Sequence, residues 1–386
     1  MSNQETSPVR DVTDPLGTVV SPGVMEGQGA YNRNSRLQAS GIEKALPFLA
    51  TAAQKVALET GTQSLVVADY GCSQGANSLV PIKVAIRNLR PRLQNGRAIS
   101  IFHVDQPLND FNCLIEVLSS HPKRYSLDEP NVFPNVIGRS FYEQVLPSES
   151  VHLGWSSYAA IWLSRVPSLI ADHIFPPCAT GEVRVAFERQ AAEDWQTFLS
   201  MRSREMRHGA RLVVVLPTTR PRGSYTFTEF MNVANIVLRE MVDDGAITAA
   251  ERAGMVLVSY PRRKDELLAP FGTDGQFQSL VVEECEAQLL PNPGWLDYQR
   301  DGDAEALART QAAFFRAVFT PSLAAALDSI QQRNFADQLQ ERMVWRLTAD
   351  PMPANTAVQT IVLAKSAPSE VTVRDQMVSD RPADAG

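Results

Sequence analysis

Short apolar runs and amphipathic stretches alternate along the first part of the chain. Residues 36–60 carry apolar side chains at helical spacing, and Pro47 is expected to kink or break this helix. The pattern then predicts a buried strand over 65–70, a helix over 76–93 and a second strand over 98–104. This β-α-β succession predicts a parallel sheet covered by helices, which is an α/β fold.

Two further strands are predicted later in the chain. The run Arg211 to Pro217 is strongly apolar and follows a predicted helix over 193–208, with Gly209 as the turn between them. Residues 358–364 form a late apolar run near the end of the chain.

The segment between these strands has a different pattern. Residues 221–345 are mostly helical in periodicity, most clearly over 228–242 and 305–319, which predicts a helical subdomain laid over the sheet. Residues 1–22 and 367–386 are polar and punctuated by proline, glycine or small residues, so both are expected to be mobile tails.

Composition and charge exclude some partners. A chain of 386 residues with 44% hydrophobic and 20% charged residues can bury a substantial core. Its net charge of −7 and the lack of any Lys/Arg run argue against binding to nucleic acid.

Cysteine and histidine spacing predicts neither a disulfide framework nor a zinc site. The four cysteines form no CxxC pair and the five histidines form no HExxH motif, which fits a reducing cytoplasm. We find no apolar core of signal-peptide type and no apolar run of eighteen residues, so neither export by that route nor a membrane span is expected.

The stretch VVADYGCSQGANSL, residues 66–79, joins the first predicted strand to a helix through a small-residue turn. Gly71 and Gly75 permit close backbone approach where a helix N-terminus faces a ligand crevice. An isolated turn of this kind can also exist without a ligand. Asp105 ends the next strand, where an acidic side chain accepts hydrogen bonds from ribose hydroxyls in nucleoside-binding sites. Ser73 stands where the dinucleotide fingerprint has its second glycine. The pattern therefore favours an adenosyl ligand over NAD.

Four ordered blocks carry a much more specific signal: YNRNSRLQ (31–38), ADYGCSQGANSL (68–79), VDQPLNDFNCL (104–114) and SFYEQVLPSESVHLGWSSYAAIWLSRVP (140–167). With them the chain resembles the SABATH family of S-adenosylmethionine-dependent carboxyl methyltransferases, which includes salicylate, benzoate and jasmonate methyltransferases and related caffeine N-methyltransferases. The resemblance implies S-adenosylmethionine as cofactor, S-adenosylhomocysteine as its product, and a small-molecule carboxylic acid as substrate.

The resemblance also implies a domain organisation. A Rossmann-like methyltransferase sheet is expected over 23–220, with some cap segments near 168–192, a mainly helical cap over 221–345 and a return to the sheet over 346–366. A homodimer is allowed by the resemblance, and the sequence leaves open whether it forms.

Ten positions match the cofactor side of the family's site. Ser35 and Gln38 match its N-terminal motif, Asp105 matches its ribose-binding acid, and Ser140 with Phe141 matches the pair around the adenine. The full set of implied cofactor contacts is Ser35, Gln38, Asp69, Gly71, Ser73, Asn77, Asp105, Gln106, Ser140 and Phe141.

On the substrate side, Gln38 and Trp162 match the pair that holds the substrate carboxylate, and we expect them to be the catalytic residues. Tyr158 and Ile161 match pocket-lining positions. Met231 aligns approximately with a pocket tryptophan, which predicts loss of an aromatic wall and room for medium-chain fatty acids as well as benzoate-like acids. Taken alone, Trp162 and Tyr158 in their apolar helical stretch would be core residues, Gln38 a surface residue and Asp105 a helix cap.

The expected chemistry needs no general base and no metal. A carboxylic acid is already ionised at neutral pH, so the protein has to position and desolvate it, and a neutral indole N–H and amide suit that task better than an arginine. The metal motif proposed in some family members has no match in residues 264–271. Two alternatives stay open: N-methylation of a heterocycle, and a non-catalytic S-adenosylmethionine-binding protein.

Overall fold

The computed structural model describes residues 23–60, 63–93, 96–127, 129, 131–220 and 223–366. The predicted tails, 1–22 and 367–386, lie outside these residues. Within the described part, the strands are β1 Leu65–Tyr70, β2 Ile99–Asp105, β3 Val132–Gly138, β4 Val151–Ser157, β5 Met206–Pro217, β6 Gln276–Phe277, β7 Leu280–Leu290 and β8 Thr356–Lys365. The helices are α1 Ala30–Asn34, α2 Arg36–Lys55, α3 Leu79–Leu89, α4 Phe111–Ser120, α5 Gly181–Glu205, α6 Thr228–Asp243, α7 Ala249–Gly254, α8 Lys264–Leu268, α9 Pro293–Asp301, α10 Ala304–Val318, α11 Thr320–Ala324 and α12 Gln331–Ala349.

These strands form one sheet in the order β3-β2-β1-β4-β5-β8-β7-β6. The first five strands in that order pair in parallel, whereas β8 runs antiparallel to both β5 and β7. Because the chain moves outward in opposite directions from β1 and β4, their carboxyl ends open a crevice between them. The predicted α/β class is confirmed, with its cofactor-type crevice at this point of the sheet.

The apolar pattern located the central strands but missed others. Strand β1 has the predicted bounds, while β3, β4 and β7 were not predicted. Strand β7 lies inside the segment 221–345 that was expected to form the helical cap, and it pairs with β8 along its whole length. Its sequence, LVVEECEAQLL, mixes acidic with apolar residues because much of the strand is exposed near the sheet edge, so it shows neither a buried run nor a clear alternation.

Two local predictions, a break at Pro47 and a turn at Gly209, were wrong. Helix α2 continues through Pro47 to Lys55, although the proline has no N–H to donate to the carbonyl of Glu43. Gly209 is not a turn between helix and strand but lies within β5 at φ 76°, since α5 passes directly into the strand. A Cβ at this position would come within 2.4 Å of the Ala57 Cβ, so the close approach of the two segments requires glycine.

Both faces of the sheet are covered by helices. Helices α2 and α3 bury one face together with residues such as Leu49 and Ile82, and α5 covers the other with Trp195 and Phe198. Helices α6, α10, α11 and α12 form a separate apolar cluster next to the sheet. Among the described helices, none combines the length and the apolar character needed to cross a membrane.

A buried carboxylate links α5 to the end of β1. Glu205 accepts hydrogen bonds from the Tyr70 hydroxyl at 2.7 Å and from the backbone N–H groups of Val145 and Leu146 at 2.6 and 3.1 Å. Its positive partner is Arg202 at 3.0 Å, and both side chains of this ion pair are fully buried. The loop before β4 is therefore held by a charge that has no contact with solvent.

We expect Glu205→Gln to destabilise the protein by about 3–5 kcal/mol, because it leaves the buried Arg202 guanidinium without a counter-charge. The matched control is Glu305→Gln, which breaks the exposed Glu305–Arg309 pair and is expected to change the free energy of unfolding by less than about 1 kcal/mol. Urea unfolding of both variants measures the difference. Equal losses in the two variants would contradict the structural role of the buried pair.

Candidate active site

A cavity of about 300 Å³ lies at the carboxyl ends of the parallel strands. Its wall takes residues from the loops after β1, β2, β3 and β4, from α2, and from α10 and the turn that follows it. Several loops therefore converge on the crevice that the strand order creates, which is where α/β proteins of this topology bind ligands.

The loop after β1 brings backbone to the cavity floor. The N–H of Gly71 donates to the Val104 carbonyl at 2.8 Å, and the glycine adopts φ 85°. A Cβ on Gly71 would lie 2.1 Å from the Ala159 Cβ, so only glycine allows the loops after β1 and β4 to approach this closely. Ser73, in the same loop, also has a positive φ of 48°.

Asp105 at the end of β2 is fixed by the loop after β1. Its Oδ2 accepts from the Ser73 backbone N–H at 2.7 Å, and its Oδ1 accepts from the Gln106 N–H at 2.8 Å. Each oxygen keeps a lone pair for a ligand hydroxyl. Burial raises the pKa of Asp105 to about 6, the two backbone donors oppose the shift, and the charge of Asp69 adds to it.

Three buried polar atoms of the cavity wall have no hydrogen-bond partner: Gln38 Oε1, Ser73 Oγ and Tyr158 Oη. Leaving such groups unpaired in a folded interior is unfavourable, and native structures do so mainly where a ligand or water completes them. The Tyr158 hydroxyl reaches its place because Gly41 has no side chain, since a Cβ there would lie 2.1 Å from Tyr158 Oη. Burial holds the pKa of Tyr158 well above its ordinary value, so this hydroxyl stays a donor at neutral pH.

Aromatic rings close the other end of the cavity. The ring of Trp162 lies 6.0 Å from that of Phe319, and Phe227 lies 5.9 Å from Phe319 and 6.0 Å from Phe314, between ring centroids. Gly23 covers Trp162 so closely that a Cβ would come within 2.7 Å of the indole ring. This end of the site is apolar and shielded from water.

The loop after β3 supplies a further aromatic wall. Ser140 and Phe141 line the cavity, and the Phe141 ring packs edge-on against Phe198 of α5 at 5.8 Å. The carbonyl of Phe141 accepts from the buried Arg202 at 2.8 Å. The hydroxyl of Tyr142 donates to the Trp162 carbonyl at 2.6 Å, which ties this loop to the segment after β4.

The structure brings most residues predicted for the site into one cavity. The lining includes Gln38, Gly71, Ser73, Asp105, Gln106, Ser140, Phe141, Tyr158, Ile161 and Trp162.

Four predicted residues do not line it. Ser35 and Asn77 are bonded to each other at 3.0 Å behind Tyr31, and Asp69 is buried against His103 at 2.9 Å. Met231 is fully buried in the helical core. The expected loss of an aromatic wall at Met231 is not what the structure shows, because Phe227, one helical turn earlier, takes the place in the lining.

Sequence analysis missed several lining residues. Tyr31 belongs to the first quoted block but was not singled out. It lines the cavity, and its hydroxyl is hydrogen-bonded to Asn77. Burial raises the pKa of Tyr31 to about 12. Phe314 and Phe319 lie in the predicted helical stretch 305–319, where apolar periodicity does not distinguish a cavity wall from core. Within the described residues no group of three or more His, Cys, Asp or Glu side chains is placed to hold a metal ion.

Comparison with known proteins places this geometry in a family. A model of the family described as SAM dependent carboxyl methyltransferase matches residues 21–366. The chain belongs to this family. The cofactor named in that description fits the cavity on structural grounds, because the lining residues Asp105 and Ser73 keep free bonding capacity for a polar ligand.

Individual relatives carry the same type of name. The methyltransferase FUS9 of Gibberella moniliformis is 29% identical over 241 residues, covering 62% of this chain and 64% of that protein, so the match spans a little under two thirds of the relative. Salicylate carboxymethyltransferase of Clarkia breweri is 29% identical over 291 residues, covering 72% of this chain and 78% of that protein. Among solved structures, loganic acid methyltransferase with S-adenosylhomocysteine shares the fold, with a TM-score of 0.73, 22% identity, and coverage of 90% of this chain and 100% of that one.

We expect cofactor affinity to fall as the pH drops below about 6, because Asp105 then takes up a proton and loses an acceptor for ribose hydroxyls. Calorimetric titration with S-adenosylhomocysteine between pH 5 and 8 should give a constant Kd above pH 7 and a rise of up to about tenfold per pH unit below the pKa.

The control variant is Asp105→Asn, which should bind weakly at every pH with no step near 6. Protonation of Asp105 does not unfold the protein, so unfolding caused by this residue cannot account for a loss of binding at low pH. Its raised pKa in the folded protein means that its contribution to stability is largest below its ordinary pKa and is lost as the pH rises through 6. An unchanged Kd from pH 8 to pH 5 would show that Asp105 does not contact the cofactor.

Proposed function

We propose that this protein transfers the methyl group of S-adenosylmethionine to the carboxylate of a small organic acid, forming a methyl ester. One observation carries the proposal: Gln38, Ser73 and Tyr158, each with a buried side-chain oxygen that has no hydrogen-bond partner, line one cavity whose described lining contains no lysine, arginine or histidine. A site built for acid–base chemistry or for clamping an anion with a cation would have such side chains.

The cofactor half of the cavity is assigned to the loops after β1, β2 and β3. Asp105 would accept from the ribose hydroxyls, the backbone near Gly71 would form the floor, and Ser140 and Phe141 would flank the adenine. Support comes from the two backbone donors that already hold Asp105 in place and from its free lone pairs. Asp69, Ser35 and Asn77 would act from behind the wall, as residues that hold His103 and Tyr31.

The acid half is assigned to Gln38, Trp162 and Tyr158. The Gln38 Oε1 accepts no hydrogen bond. The side-chain amide can therefore rotate and present its NH₂ group to an anion without the loss of a hydrogen bond to this oxygen. The indole N–H of Trp162 is a donor only, and the Tyr158 hydroxyl is protonated at neutral pH. These three groups are neutral, so they would orient a carboxylate while leaving its charge on the oxygens that react.

The chemistry then depends on position and desolvation. S-adenosylmethionine supplies an electrophilic methyl group on a sulfonium when it is bound. The chain would hold the carboxylate oxygen in line with that group, exclude water with the ring cluster around Phe319, and take part in no proton transfer, because the acid is ionised before it binds. We infer a direct displacement at the methyl carbon.

The wall of the acid half favours an apolar body on the substrate. Phe227, Phe314 and Phe319 with Ile161 present rings and a branched chain, which suits an aromatic acid such as benzoate or salicylate or a medium-chain fatty acid.

Location and assembly are also proposed here. All four cysteines are free, which is compatible with the cytoplasm proposed from their spacing. A homodimer is supported by exposed apolar side chains near and on α12, with Ile330 89% and Trp345 70% exposed. Sedimentation equilibrium would reveal a single monomeric species if the dimer does not form.

The decisive experiment is methyl transfer from labelled S-adenosylmethionine to a panel of acids: benzoate, salicylate, indole-3-acetate and straight-chain acids of increasing length, with a caffeine precursor as the nitrogen control. Solvent-extractable methyl ester from at least one acid is the expected result. Transfer only to the nitrogen compound would favour N-methylation, and tight cofactor binding without any transfer would favour a non-catalytic binding protein.

We expect Trp162→Phe to lower kcat/KM for the acid by about 10–100-fold while leaving the Kd for S-adenosylhomocysteine nearly unchanged, because a donor to the charged carboxylate is lost and the ring wall is kept. Asp105→Ala should do the reverse and raise that Kd about tenfold or more. Trp345→Phe is the matched control, because this indole lies outside the cavity lining and the phenylalanine ring keeps the apolar surface proposed for the dimer, so neither quantity should change. Equal cofactor affinity in Trp162→Phe and Asp105→Ala would refute the two role assignments.

A further inference from the structure

A second, much smaller pocket adjoins the apolar end of the main cavity. It has a volume of about 30 Å³, and two rings, Phe227 and Phe314, line both it and the main cavity. These two residues therefore belong to the walls of both spaces. A volume of this size holds one group as large as a water molecule or a hydroxyl. We call it the distal pocket.

One polar atom in the wall of the distal pocket lacks a partner. Gln311 is 96% buried, its Nε2 donates to the Met352 carbonyl at 2.9 Å, and its Oε1 has no hydrogen-bond partner. By contrast, Oδ1 of the neighbouring Asn292 accepts from the N–H groups of Gly294 and Trp295. A buried amide oxygen without a donor is unfavourable by about 1–3 kcal/mol, so Gln311 marks a place for a donor.

The charge at the mouth of the distal pocket limits the kind of donor. Arg36 lines the pocket, and its Nη1 is paired with Asp297 at 2.5 Å, so its charge is already compensated. The other polar wall residues, Asn34, Asn292 and Thr310, are uncharged, and the rest of the wall is apolar, with Leu37 and Phe230 among its buried members. A neutral donor fits this environment better than a second carboxylate, whose burial without a free cation is strongly unfavourable.

The dividing wall has an unusual backbone. Phe227 has φ 74° in the left-handed region, which a bulky residue adopts only when the surrounding structure imposes it. Its ring lies 6.0 Å from that of Phe314. The backbone thus fixes where the Phe227 ring starts. The two rings are in contact, so a passage between the two spaces requires new side-chain torsions at Phe227 and Phe314.

We propose that the distal pocket receives a hydroxyl group at the far end of an elongated carboxylic acid, which passes between Phe227 and Phe314 and donates to Gln311 Oε1. This inference rests on the proposed function, because the carboxylate of the same acid would lie at Gln38 and Trp162. The substrate class is then a hydroxylated acid of a length that spans the main cavity, in preference to the unsubstituted acid.

The test compares straight-chain acids of eight to sixteen carbons with their ω-hydroxy and ω-methoxy counterparts, by calorimetric titration into protein saturated with S-adenosylhomocysteine. We expect the ω-hydroxy acid to bind about three- to tenfold more tightly than the parent acid above a threshold length, and the methoxy acid, which has no donor, to gain nothing. In Gln311→Met this preference should disappear. Gln332→Met is the matched control, because it removes a similar bond from an amide to a carbonyl, that of Leu327, on another helix.

The outcomes separate this inference from the proposed function. Absence of methyl ester from every acid would contradict the carboxyl methyltransferase activity, while the binding comparison still reports on the distal pocket. Equal affinity for hydroxy and parent acids at every length, or a preference that survives in folded Gln311→Met, would overturn the inference. If Gln311→Met does not fold, the wild-type comparison decides alone, since a methoxy acid that binds as tightly as the hydroxy acid would exclude an acceptor role for Gln311.

Discussion

The geometry of the proposed cofactor side depends on one buried carboxylate. Glu205 accepts from the Tyr70 hydroxyl at the end of β1, from backbone donors in the loop before β4, and from Arg202. A buried carboxylate has to keep all its hydrogen bonds, because each lost bond leaves part of the free-energy cost of desolvating the charge uncompensated. Arg202 in turn donates to the Phe141 carbonyl, so the position of the proposed adenine wall follows from the ion pair. The buried ion pair and its hydrogen bonds therefore fix the positions of the loops that form this part of the site.

The cavity itself has the opposite character. Asp105 is the single ionisable acid or base of the Asp, Glu, Lys, Arg and His types among its described lining residues, and burial, with a smaller contribution from the charge of Asp69, raises its pKa. A cationic cofactor beside an anionic substrate would supply its own charge balance, so neutral donors are sufficient for orientation. The proposed chemistry therefore requires no catalytic histidine or lysine.

The sequence predicted the sheet side of the site more accurately than it predicted the rest of the sheet. Strand β1, Gly71 and Asp105 were predictable because each has a backbone reason: a buried run, a positive φ at a close approach, and the end of a parallel strand. The direct continuation of α5 into β5 was not predictable, because Gly209 makes a close contact with Ala57 that no local sequence pattern reveals. Strand β7 was missed for a related reason, because pairing to β8 determines its structure more than its own acidic sequence does.

The helical wall shows where sequence patterns lose their discriminating power. On α10 the same apolar face supplies core residues and cavity residues, and both have the same 3.6-residue period. Met231 on α6 is core, whereas Phe227, which precedes the first residue of α6 and has a left-handed backbone, lines the cavity. The substrate selectivity that we propose depends on where the helices place these rings, which is a tertiary property that the apolar period does not encode.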